Sequence, residues 1–175
     1  MGIYANDLRE LVIRPTLLVL NEWSASAENL LLGTAAQESG LGFRMQSDKD
    51  AGMGIYCISA YTHIQVWDKY LVTDPELASR VRGLASQQQF LKNPHSELII
   101  NLSYATGIAW MIYKRQQFVL ADNLNVHELA KYWWNYYCTR DDQGVQKIHA
   151  DDTQIENFIA NYNALILHKN KNLAA

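Results

Sequence analysis

Leu30-Leu31-Leu32-Gly33-Thr34-Ala35-Ala36-Gln37-Glu38-Ser39-Gly40 is the stretch on which the reading of this chain turns. Its apolar run predicts a buried helix, and Gly40 is placed to stop it as a C-terminal cap. In helical steps of three and four, Glu38 shares a face with Thr34, Leu31 and Leu30. That face is expected to point inward. A carboxylate there loses water and meets the negative end of the helix dipole, and both effects favour its protonated form. A carboxyl that keeps its proton near neutral pH is what a general acid needs. Position alone leaves another reading open, a capping or surface Glu at a frayed helix end.

The surrounding chain bounds the possibilities. Its 175 residues suit one domain, 1–175 with a core over about 7–168, large enough to bury a real core. Apolar residues make up 49% and charged residues 19%, a globular composition. The net charge of −3 comes with no basic stripe, which argues against nucleic acid as a partner. The Lys169-Asn170-Lys171 tail is too short to alter that. No apolar run reaches the roughly 20 residues of a membrane span. The start, Met1 to Asp7, lacks the basic-then-apolar pattern of a Sec signal, and Asn6 excludes a myristoylation site at Gly2. The expectation is therefore a protein made and folded in a cytoplasm. Two cysteines, Cys57 and Cys138, make no disulfide framework. CxxC and HExxH spacings are absent and the five histidines are scattered, so neither a metal site nor a cofactor is expected.

The pattern is mainly α throughout. A short helix is expected over Asp7 to Ile13, and a second opens at Pro15 and runs to about Trp23. Ser24 or Ser26 can cap the Glu38 helix. From Ser39 to Cys57 glycine and charge dominate, which reads as a long and therefore functional loop. Ser59 is placed to cap a helix over Ala60 to Leu71. Asp74-Pro75 starts another, to about Gln88. The longest helix is expected from His95 to about Phe118, with Leu98, Leu102, Ala105, Ala109 and Ile112 as its apolar face. Asn125-Val126-His127-Glu128 has capping-box spacing and starts a helix through Tyr137. A polar loop follows from Thr139 to Asp151. Asp151 or Asp152 then caps a last helix to about His168.

Three segments carry chemistry. The first is Glu38-Ser39-Gly40. The second runs from Gly52 to Thr62, where Gly52 and Gly54 allow a chain or a ligand to approach closely. The third is Tyr132-Trp133-Trp134-Asn135-Tyr136-Tyr137, with more aromatics than one helix face can bury. Flat rings along a groove suit sugars, whose C–H faces stack on them. Core packing with an oligomer contact is the alternative for this segment.

Taken together, the three segments resemble the lysozyme-like lytic transglycosylase family of peptidoglycan-cleaving enzymes, over roughly residues 25 to 140. That family shows a helix ending in Glu-Ser, a Gly-x-x-Gln-type segment followed by Thr, and a late Tyr-Asn segment. Glu38-Ser39, then Gly54 to Thr62, then Tyr132 to Asn135 or Tyr136-Tyr137 follow that order. The small domains encoded by tailed bacteriophages are nearest in character: Tyr136-Tyr137-Cys138-Thr139 and Gly144 fit their Tyr-Tyr-Asn-Thr segment and Gly-rich loop with one change. The resemblance implies a lysozyme-like helical domain with a saccharide cleft. It implies that Glu38 cleaves the bond between N-acetylmuramic acid and N-acetylglucosamine, first as acid and then as base, leaving a 1,6-anhydro product. Tyr56 is then the candidate to orient Glu38 or the oxocarbenium-like centre. Ser39, Gly54, Cys57, Thr62, Tyr132, Trp134, Asn135, Tyr136, Tyr137 and Cys138 are the candidates to contact substrate. Hydrolysis instead would call on a second carboxylate, for which Asp48 and Asp50 are the candidates.

Two positions depart from the pattern. Cys57 stands where the family has glutamine, and Cys138 where the phage-type segment has asparagine. A thiol offers one weak donor in place of an amide's two donors and an acceptor. Both cysteines fall on segments expected to approach one cleft, so they are expected to lie close, as a switchable disulfide or as two small buried hydrophobes. The functional expectations are therefore three. The first is a phage-type lysozyme or transglycosylase acting on peptidoglycan glycan strands, reaching them through a holin-made lesion or within a virion. The second is an inactive lysozyme-like virion assembly protein using Trp133, Trp134 and Tyr136 against other virion proteins. The third is a binding module without catalysis.

Overall fold

The computed structural model describes residues 2–48, 52–117, 119–138 and 152–167. Among them, in chain order, are helix α1 (residues 5–20), helix α2 (Ala25–Ser39), strands β1 (Gln46–Asp48) and β2 (Gly52–Gly54), helix α3 (residues 60–73), helix α4 (Pro75–Leu84), helix α5 (Gln87–Lys92), helix α6 (Glu97–Ile100), helix α7 (Leu102–Lys114), helix α8 (residues 126–138) and helix α9 (residues 152–167). The fold is mainly helical, as the periodicity predicts. Among the described residues no helix is long and apolar enough to cross a membrane.

The quoted stretch forms the axis of the molecule. Ser24 caps α2 by accepting the Ala27 N–H at 3.1 Å. Gly40 ends it in the left-handed region, with the Leu41 N–H returning to the Ala35 carbonyl at 3.0 Å. Residues 30–36 are all buried, so the helix has no solvent face, as a core helix should. Helices α1, α7, α8 and α9 pack around it. Gly33 admits the last of these: a Cβ there would meet the Phe158 ring at 2.5 Å. The other expected caps form as read. Ser59 accepts from Thr62 N–H at 3.1 Å, Asp74 from Leu77 N–H at 3.0 Å, and Asn125 and Glu128 close a reciprocal capping box.

Four boundaries differ from the sequence reading. Residues 5–20 form one helix and not two. A wider π turn at Arg9–Ile13 precedes Pro15, which falls in the first turn of renewed α-helix, where its missing N–H costs nothing. The stretch from Ser39 to Cys57 is not all loop, since β1 and β2 pair antiparallel with Ser47 opposite Met53. The Pro75 helix stops at Leu84, and Ser86 caps a separate helix, α5. The helix expected from His95 to Phe118 is broken at Asn101. This residue is extended and caps α7 through Tyr104 N–H at 3.0 Å, while its amide donates to the Leu84 carbonyl at 2.9 Å and to Glu97 at 2.8 Å. An Asn side chain that satisfies three groups this way outcompetes the helical ladder. Phe118, Thr139 to Asp151 and His168 onward lie outside the described residues.

Two buried polar clusters fasten the layers. Glu28 of α2 is 2% exposed. It accepts from Arg9 at 2.8 Å, from Arg14 at 2.8 and 2.9 Å, and from Trp23 Nε1 at 2.9 Å. Burial alone would raise its pKa, but these bonds outweigh it and the net shift is downward. The second cluster joins α3 to α7 and to the turn before α6. His63 Nε2 lies 2.6 Å from the Tyr104 hydroxyl, which also accepts from Trp67 Nε1 at 2.9 Å, and His63 Nδ1 lies 2.9 Å from His95 Nδ1. The Tyr104 oxygen can accept from Trp67 and still either donate to His63 Nε2 or accept from it, according to the histidine tautomer. Burial, aided by the charge of His95, pushes the His63 pKa down to about 3.

Both clusters make stability pH-dependent in the same direction. A histidine with a depressed pKa is charged in the unfolded chain and neutral in the folded one between about pH 6.5 and about 3, so stability is full above that window and drains as pH falls through it. The Glu28 contribution is present above its unfolded pKa of about 4.5 and lost as pH falls below it. Thermal melts should therefore drop between pH 7 and pH 5, and His63→Gln should shrink that gap. Glu28→Gln should cost about 2 kcal/mol in urea unfolding at pH 7, less than the roughly 3 to 5 kcal/mol of a fully buried broken pair because Arg9 and Arg14 keep contact with water.

Candidate active site

Glu38 occupies the last turn of α2 and is half-buried. Its Oε1 accepts a 2.8 Å hydrogen bond from Trp133 Nε1 of α8. Trp133 is itself buried, with its ring against Phe158 at 5.4 Å between centroids. Phe158 is the ring seated over Gly33. The bond to the carboxylate thus depends on a stack that begins at a missing side chain on the same helix.

The Gly52–Thr62 segment comes to the end of α2 through its backbone. Ser39 is fully buried, and its hydroxyl lies 2.7 Å from the Ile55 carbonyl and accepts from Gly42 N–H at 2.8 Å. The Cys57 thiol donates to the Glu38 carbonyl at 3.2 Å. Met53 and Ile58 bridge in both directions, at 2.9 and 3.1 Å, closing the turn between them and leaving Cys57 at φ 47°. Gly54 is required by packing. Its φ is 70° and a Cβ would meet the Leu98 carbonyl at 1.8 Å, so here the close approach belongs to the chain itself.

Tyrosines complete the surroundings. The Tyr137 hydroxyl donates to the Tyr56 carbonyl at 2.7 Å, and its ring packs on Tyr113 at 5.2 Å. The Tyr113 hydroxyl lies 2.7 Å from Thr34 Oγ1, which donates to the Leu30 carbonyl at 2.8 Å. Burial first, and the Glu38 charge with it, hold Tyr113 and Tyr137 well above the ordinary phenol range. They are neutral hydroxyls at any physiological pH. Burial and then Glu38 push the Cys57 thiol up to about 11, against the opposing charge of Arg44. Cys57 and Cys138 are both free thiols and both half-buried. Cys57 lies in the neighbourhood of Tyr137, and Cys138 in that of Tyr113.

The predicted site residues therefore divide. Glu38, Tyr56, Ser39, Gly54, Cys57, Tyr137 and Cys138 converge on the end of α2. Tyr56 reaches it by its carbonyl only. Its ring is fully buried and its hydroxyl lies 3.1 Å from Thr106 Oγ1, so it braces α7 and does not point to Glu38. Ser39 spends its hydroxyl inside the protein. The Thr62 hydroxyl is engaged by Ser59 at 3.1 Å. Trp134 is 6% exposed and presents no open face to a sugar. Tyr132 donates to the Val119 carbonyl at 2.9 Å and packs on Tyr136 at 5.6 Å, while Asn135 is exposed. The backbone of Asp48 lies in β1; its side chain, Asp50 and Gly144 are outside the described residues. Sequence reasoning missed Tyr113, which reads as one more aromatic on the apolar face of α7, and passed over Trp133 as a site residue. The one available signal was Thr34, a hydroxyl one turn before Glu38 inside an apolar run.

No family model, characterised protein or solved structure matches this chain. Its chemistry therefore rests on the site alone. Among the described residues no group of three or more His, Cys, Asp and Glu side chains gathers to hold a metal ion. What the arrangement offers is one anchored carboxylate at a helix end, with neutral phenols and thiols around it. Alkylation checks this placement. Cys57 should react slowly with iodoacetamide in the native protein at pH 8. Glu38→Gln removes one of the two causes raising the thiol pKa and should increase its rate, read by mass spectrometry of the labelled peptide.

Proposed function

We propose that this protein cleaves peptidoglycan glycan strands at the bond between N-acetylmuramic acid and N-acetylglucosamine. The observation that carries the reading is the half-buried Glu38 at the end of a core helix, held at 2.8 Å by the Trp133 indole. An anchored carboxyl in a partly dry setting is suited to give a proton and take one back. In the proposed reaction Glu38 protonates the glycosidic oxygen as the bond to the anomeric carbon breaks. It then removes the proton of the muramic 6-hydroxyl as that oxygen attacks the anomeric carbon. The products are a free N-acetylglucosamine hydroxyl and a 1,6-anhydro sugar, with Glu38 returned to its starting state. This route needs one carboxylate where hydrolysis ordinarily takes two.

A second reading keeps the scaffold without catalysis, as a virion assembly protein or binding module. Its support is chemical: thiols at Cys57 and Cys138 replace amides that would hold N-acetyl groups. Burial of Trp133 and Trp134 takes two of its three contact residues away from any subunit surface. Digestion of purified peptidoglycan with mass analysis separates the readings. Under the first, soluble fragments lighter by one water than hydrolytic muropeptides are released, and Glu38→Gln lowers release at least about a hundredfold, the scale of a lost general acid. Fragments that retain the water would move the chemistry to hydrolysis. No release at all would favour the second reading.

A further inference from the structure

We infer that the protein has a second saccharide-binding site, built on Trp23 at the end of α2 opposite Glu38. A cleft of about 300 Å³ opens there, within the size range of small-ligand sites, with Trp23, Trp110, Glu22, Lys114 and Asn21 among its walls. Trp23 is 48% exposed, a large apolar face left in water. Its ring is not free to swing, because Nε1 donates to Glu28 at 2.9 Å and Glu28 is clamped by Arg9 and Arg14. The face is thus pre-oriented by a buried ion network, which lowers the entropy cost of stacking a ligand on it. Trp110, 3% exposed, contributes a buried second indole.

The polar lining selects the ligand class. Lys114 Nζ and Glu22 Oε2 pair at 3.0 Å, both partly open to water. Each neutralises the other, so the pair offers donors and acceptors without favouring a charged ligand. The exposed amide of Asn21, whose backbone is left-handed at φ 58°, adds a donor and an acceptor. An indole face for C–H groups beside a polar lining of no net charge fits a neutral pyranose. Helix α2 is 15 residues long, so this cleft and Glu38 are about 20 Å apart at its two ends. Two contacts that far apart on one glycan network hold the protein on a polymer between cleavage events. The assignment of a neutral saccharide rests on the cleft; only the identity of the polymer rests on the muralytic reading.

The test counts sites without turnover. Glu38→Gln protein is titrated with N-acetylchitotetraose by isothermal calorimetry and by backbone NMR. Two binding events are expected, and the one that perturbs Asn21 to Ser24 should weaken about tenfold or more in Trp23→Ala and in Lys114→Met. Trp23→Phe, which keeps a ring without the N–H, should retain most of it. A single binding event that perturbs Asn21 to Ser24 and is lost in the same variants would uphold this site while removing the saccharide reading of Glu38. Unchanged binding in folded Trp23→Ala and Lys114→Met proteins, or no perturbation of Asn21 to Ser24, would overturn the proposal.

Discussion

The hydrogen bond from Trp133 to Glu38 joins residues 95 positions apart, and the rest of the site depends on it. A carboxylate at a helix end is ordinarily a mobile surface group. Here one oxygen is fixed by an indole that cannot move, because Trp133 packs on Phe158 and Phe158 fills the notch at Gly33. The constraint is steric first and polar second. A side chain at Gly33 would push α9 outward, loosen Phe158 and release the indole. Close packing on the buried flank of α2 thus sets the geometry on its end.

The same helix is anchored by charge at its other end. Glu28 holds two arginines of α1, and Ser39 and Gly40 tie the C-terminal turn to the segment around Ile55. Between these ends Thr34 supplies a hydroxyl to Tyr113, so polar groups recur along a helix whose surroundings are otherwise apolar. Buried polar groups of this kind are satisfied in one arrangement of the neighbouring helices and orphaned in others, which is how they specify a unique packing. Tyr137 and Tyr56 extend the scheme: one donates to the other's carbonyl, and neither hydroxyl ionises at physiological pH.

Much of the local structure was legible because local chemistry decides it. The Ser24, Ser59, Asp74 and Asn125 caps, and the glycine stop at Gly40, each follow from one side chain or one missing Cβ acting on its nearest backbone. The errors lie where a distant partner intervenes. Asn101 breaks a continuous apolar face because Leu84 and Glu97 wait for its amide. Pro15 differs in having a local cause: the π turn at Arg9–Ile13 absorbs it and the helix continues. Of the site, the position of Glu38 was readable from the apolar run and the Gly40 stop, while the approach of the segments around Cys57 and Tyr137 was expected only from the family resemblance. The donors were not: Trp133 and Tyr113 look like core aromatics, while Tyr56 and Ser39 look like site residues and brace the fold.

The sequence by itself determined that a buried helix, started by Ser24 or Ser26 and stopped at Gly40, carries a carboxylate in its last turn. Helical periodicity and capping are properties of neighbours in the chain, and they need no tertiary partner. Only the tertiary structure decided what that carboxylate meets. Whether an aromatic buries its ring, stacks on another or turns its N–H to Glu38 depends on which helices crowd it, and a one-dimensional pattern of apolar residues is the same for all three.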